Sequence, residues 1–86
     1  MSDYSILDIT TPVAGYIRRI GELDDDVVVA GGSNIAEDLG IDSLARIDLV
    51  VLIEKHFDVV FDEAEMVEVT TVQELFDVIQ RALAGR

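Results

Sequence analysis

Cysteine is missing from the chain, which excludes a disulfide framework and a thiolate metal centre. Histidine occurs once, as His56, too few for an imidazole metal site and better placed as a helix-end residue near a C-terminal dipole. No apolar run approaches the roughly 18 residues that a membrane-spanning helix needs, and no basic N-terminal segment leads into an apolar stretch of secretory type. Cations are scarce, with 6 Lys and Arg against 18 Asp and Glu and a net charge of -12. Such a surface repels nucleic-acid phosphates and anionic lipid and attracts proteins with basic faces. The expectation is a soluble, cytoplasmic, monomeric protein that works with protein partners, binds no nucleic acid and does not insert into membranes.

What is present is a short chain, half of it apolar: 86 residues and 50% hydrophobic. One domain spanning 1–86 can form a single core but cannot wall a deep substrate cavity, so a self-contained enzyme is disfavoured. There is no repeat and no low-complexity tract. Ile6, Ile9, Val13, Ile17 and Ile20 recur at helical spacing, and Thr11 before the lone Pro12 predicts an N-cap followed by proline at the first helical position. That first helix includes Val13 to Ile20 and ends at Gly21. Glu22 to Gly40, with Asp24 to Asp26 and the Gly31-Gly32 pair, reads as a long loop with Val27 to Val29 and Ile35 as anchors. The three aspartates lack the ligand spacing of a calcium loop and read as solvated.

A second helix is predicted from Ser43 to about Phe57, with Asp42 as N-cap. At about 100° per residue, Leu49, Val50, Ile53 and Phe57 gather on one side of it, and Leu44, Ile47 and Val51 on another. One stripe can be core; the second is either covered by the third helix or the long loop or left exposed as a docking face for partner proteins. A short segment follows at Asp62 to Val67, and Thr71 with Glu74 forms a capping box that opens a last helix through Leu83. Val72, Leu75, Phe76, Ile79 and Leu83 form its buried face. Val59 to Phe61 is ambiguous between strand and coil. The fold expected is all-α: a small four-helix bundle of three longer helices and one short one, with a long loop between the first two.

Asp38-Leu39-Gly40-Ile41-Asp42-Ser43-Leu44 closes the loop and opens the second helix, leaving a serine hydroxyl on the first turn. Free N–H groups and the positive end of the helix dipole favour a phosphate bonded there. Catalysis by that serine is disfavoured, because the sole histidine lies near the far end of the same helix, about 20 Å away. The plain alternative is an ordinary serine that helps to start a helix.

These residues resemble the acyl carrier protein family: the Asp-Ser-Leu core at Asp42 to Leu44, preceded by Glu37-Asp38-Leu39-Gly40 and followed by Ile47-Asp48-Leu49, Glu54, Phe57 and Thr70-Thr71-Val72. The likeness runs from about Ser33 to Ile79. It implies a four-helix bundle in which Ser43 receives 4'-phosphopantetheine from coenzyme A through a separate phosphopantetheinyl transferase, which supplies the base and magnesium. The arm's thiol then holds an acyl, aminoacyl or peptidyl group for partner enzymes. Those partners would be an acyl-loading ligase or transferase and a ketosynthase or other biosynthetic enzyme. Asp42, Leu44, Ile47, Asp48, Val51 and Glu54 are the expected partner-binding residues, with Asp42 an N-cap as well.

Ala45, Arg46, Lys55 and His56 thin the acidic outer face that carriers of fatty acid synthesis usually show on this helix. A specialised, polyketide-like pathway, modified fatty acid assembly and a nonribosomal aminoacyl or peptidyl carrier all stay open. The rival classes are a noncatalytic acidic helical interaction module and a small serine enzyme. Arg46 falls beside the core stripe, and an acid of the preceding loop, Asp38 or Glu37, is its expected partner.

Overall fold

The computed structural model describes residues 5–85. Four helices follow one another: α1 Ile6–Ile20, α2 Ser43–Phe57, α3 Glu63–Val67 and α4 Val72–Ala84. Among the described residues there is no strand, only an isolated bridge between Asn34 and Thr71. The all-α bundle expected from the periodicities is the one observed, and Val59 to Phe61 is coil.

The start of α1 differs from the sequence expectation. Thr11 is not its N-cap and Pro12 is not its first residue; Pro12 lies inside the helix. Ser5 caps it instead, its Oγ accepting the Asp8 N–H while the Asp8 carboxylate accepts the Ser5 N–H at 2.9 Å. An interior proline costs about 3 kcal/mol, but a cap contributes about 1 kcal/mol and full burial of an isoleucine such as Ile9 about 1.5–3 kcal/mol. Ile9 is buried with Val13 and Ile17 on one stripe, so the extra turns recover what the proline removes.

The segment between α1 and α2 is tied down along its length. Ile35, Leu39 and Ile41 are buried in the core. Of the expected valine anchors, Val28 is 78% exposed and Val27 and Val29 are half-buried, so the apolar anchoring comes later in the loop than expected. Backbone bonds stitch the loop to the entry of α4: Ile35 N–H to Thr70 O at 2.9 Å, Val72 N–H to Ser33 O at 3.1 Å and Gln73 N–H to Gly31 O at 2.8 Å. At Gly21 the Leu39 carbonyl would lie 2.9 Å from any Cβ, so only glycine lets the loop fold back against the end of α1. Asp24 to Asp26 are exposed.

Leu49, Ile53 and Phe57 of α2 pack with Ile9, Val13 and Ile17 of α1 and Val72, Leu75 and Ile79 of α4 in one core. At the far end of α2, Tyr16 Oη and His56 Nδ1 lie 2.9 Å apart, which joins the first two helices at the surface. No described helix is long and apolar enough to cross a membrane.

Candidate functional site

Ser43 is the first residue of α2, and Asp42 is its N-cap, with Oδ1 accepting the Ala45 N–H at 2.9 Å. Gly40 adopts φ +70°, a left-handed turn that delivers the chain into the cap without a side-chain penalty. The Ser43 side chain is exposed, and the opening N–H groups of a helix have no acceptor within it, which suits an anionic diester.

Beside Ser43 lies an open groove of about 680 Å³ between α2 and α3. Its walls are mainly apolar, with Ile47, Val50 and Val51 from α2 facing Phe61, Met66 and Val67, and Arg46, Glu54 and Glu63 also in the lining. A groove of this size falls in the range of small-molecule sites. The periodicity of α2 placed Ile47 and Val51 off the core, and they are indeed 60% and 40% exposed, with Leu44 at 76%. Cover of this stripe by the third helix, the alternative to a docking face, is met in part: Met66 and Val67 line the groove with Ile47 and Val51, while Leu44 stays outside that lining.

The polar residues separate into two groups. Asp42 and Asp48 are exposed. Glu54 is half-buried and its Oε2 accepts the Phe61 N–H at 2.9 Å, so this carboxylate holds the turn after α2 as well as lining the groove. Arg46 does not pair with Asp38 or Glu37. Its Nη2 donates to the Met66 carbonyl at 2.5 Å and to the Val69 carbonyl. The physical reason is placement: Arg46 faces the end of α3, while Asp38 accepts the Asn34 N–H at 2.7 Å within the loop. One terminal nitrogen of the guanidinium carries two N–H donors, enough for both carbonyls.

His56, with Tyr16 at its ring nitrogen, sits near the opposite end of α2 from Ser43, about 20 Å along the axis. Glu74 accepts hydrogen bonds from the hydroxyls and N–H groups of Thr70 and Thr71. The Thr70 hydroxyl chiefly, then the Thr71 and Thr70 N–H groups and the Thr71 hydroxyl, hold its carboxyl down at about 2 from 4.5. This is a helix entrance rather than a reactive centre.

A family model described as the phosphopantetheine attachment site matches residues 13–79. The chain is also 49% identical over 89 residues to acyl carrier protein 3 of Ralstonia nicotianae, with 100% of this chain and 94% of that protein covered. The chain belongs to the acyl carrier protein family. Its cofactor is therefore 4'-phosphopantetheine, and the exposed hydroxyl at the start of α2, beside an apolar groove, fits that group. Members of the acyl carrier protein family work through other proteins, and the exposed stripe of α2 is a surface available to them.

Proposed function

We propose that Ser43 carries the phosphopantetheine arm and that the chain presents acyl intermediates to enzymes of fatty acid or specialised, polyketide-like biosynthesis. One observation carries the assignment. Within the matched residues 13–79 the serines are Ser33 and Ser43. Ser33 is half-buried in the loop stitched to α4, whereas Ser43 is exposed at the mouth of the groove.

The arm, once bound, supplies a thiol on which an acyl group is held as a thioester. The chain's own residues do the rest by placement. Asp42 caps α2 and thereby fixes the serine. Leu44, Ile47 and Val51 offer apolar contact to a partner, and Asp42, Asp48 and Glu54 offer charge to a basic one. The apolar groove, next to the point where the arm is attached, shelters the chain that the arm carries, which favours acyl cargo over aminoacyl cargo. His56 is too distant to activate the serine, so the phosphopantetheinyl transferase supplies base and magnesium. The ligase, transferase or ketosynthase makes and breaks the cargo's bonds, and this chain acts as a monomeric, cytoplasmic carrier rather than an enzyme.

Incubation with coenzyme A, magnesium and a broad-specificity phosphopantetheinyl transferase, followed by intact mass measurement, tests the assignment. The expected result is a gain of one arm, located on Ser43 by peptide mapping. An unmodified protein, or an arm on another residue, overturns it.

A further inference from the structure

We propose that Arg46 is a positioning residue that holds α3 over the groove and so sets the length of acyl chain the groove accepts. The inference rests on the reading of Ser43 and the groove given above, and it adds what controls the groove's dimensions. Helix α3 spans five residues, Glu63–Val67, too few to be stable by hydrogen bonding of its own backbone. It must be held from outside. Met66 is its buried residue, and its ion pair to α4, Glu65 with Arg81 at 2.5 Å, is 42% and 66% exposed and correspondingly weak.

Toward α2 the segment is clasped at both ends by polar side chains. Glu54 holds the Phe61 N–H just ahead of α3. Arg46 holds the Met66 carbonyl on the last turn and the Val69 carbonyl just beyond it. Between the clasps lie the apolar walls, Ile47, Val50 and Val51 against Phe61, Met66 and Val67. Burial of Met66 seats α3 on the core, and two side chains of α2 then clasp it across the groove. Arg46 stands on the same helix as Ser43 and lines the same groove. Both clasps are charge-assisted, and the guanidinium is the stronger because it makes two such bonds where the Glu54 carboxylate makes one. Releasing it frees the end of α3 while leaving the α1, α2 and α4 core intact, because the Arg46 guanidinium bonds to neither α1 nor α4.

The test compares the unaltered protein with Arg46→Gln and Arg46→Lys in two measurements. Amide hydrogen exchange on the unloaded chain should show residues 63–69 of Arg46→Gln exchanging about tenfold faster, with α1 and α4 unchanged. Proteins loaded from hexanoyl-, decanoyl- and tetradecanoyl-coenzyme A are then cleaved with hydroxylamine. In the unaltered protein the thioester is best protected at one chain length. In Arg46→Gln that optimum moves to a longer chain, and Arg46→Lys, which keeps an ammonium donor, moves it back toward the original. An unchanged order in Arg46→Gln overturns the role of Arg46 while leaving the groove reading in place. Equal cleavage of all three chains in the unaltered protein overturns the groove reading and this inference with it. Faster exchange throughout α1 and α4, or failure of both variants to fold, shows Arg46 to be a general structural residue and also overturns the proposal.

Discussion

Glu54 bonds the Phe61 N–H through its side chain at 2.9 Å and the Val59 N–H through its backbone carbonyl at 3.1 Å, so one residue captures the turn that leads from α2 to α3. Asp58, at φ 55°, supplies the left-handed step between them. Glu54→Ala should lower stability by about 1 kcal/mol, because a charge-assisted bond in a half-exposed site is weaker than a buried one. For a chain of this size that is a fall of about 4–8 °C in Tm. Thermal melts of Glu54→Ala and Glu54→Gln check it, the latter keeping an acceptor and losing less. No change in either would mean the bond is not formed in solution.

Ser43→Ala should abolish arm attachment and leave the helical fold unaltered, because an exposed hydroxyl on the first turn contributes little to stability when the cap is Asp42. Intact mass and circular dichroism on one sample report both. Modification of the variant would show the attachment residue to be elsewhere.

Ile53→Ala and Phe57→Ala should each cost roughly 2–5 kcal/mol, since both side chains are at most 1% exposed and their removal leaves a cavity that the bundle fills only in part. Val51→Ala, on the 40% exposed side of the same helix, should cost much less. Denaturant melts that rank the three equally would contradict the division of α2 into a core side and an outer side.

The Glu74 carboxyl titrates at about 2 rather than 4.5 because Thr70 and Thr71 donate to its charged form. A carboxyl depressed in the folded state stabilises the fold above its unfolded value, and that contribution is lost as pH falls from 4.5 toward 2. Glu74→Gln should therefore be less stable than the unaltered protein near neutral pH, with the difference shrinking through that window. The comparison isolates Glu74 from the other acids titrating there. A difference that stays constant from neutral pH down to 2 would refute the assignment.

Asp48→Lys should slow association with a basic partner enzyme, whereas Ile47→Ala should chiefly speed dissociation, by about fivefold. Asp48 is exposed and Glu54 is engaged with Phe61, so Asp48 carries much of the steering charge on the middle of the helix. Measured rate constants for a loading ligase or ketosynthase decide it. Unaltered rates in both variants would place the docking face off this stripe.

The sequence by itself determined the limits of α2 and α4 and, apart from Val50, which is half-buried and lines the groove instead of joining the core stripe fully, the division of α2 into two apolar sides, because capping residues and apolar spacing act over one turn and need no distant partner. It likewise marked Ser43 as the candidate attachment residue, since a short run of residue types around an N-cap is local. Only the tertiary structure decided the beginning of α1, where Ser5 and Asp8 formed a readable local signal but the burial of Ile9 was needed to carry the helix through Pro12. The valines of the long loop were misjudged for a related reason: Val27, Val28 and Val29 are equally apolar in sequence, and only packing distinguishes the half-buried pair from the exposed one between them. Glu54 read as a surface charge, and Arg46 as a charge beside the core stripe paired with an acid of the loop. Their backbone partners, Met66, Val69 and Phe61, offer a carbonyl or an N–H, which every residue possesses, so residue types cannot announce such bonds, and the groove that these bonds frame exists only once α3 has been placed beside α2.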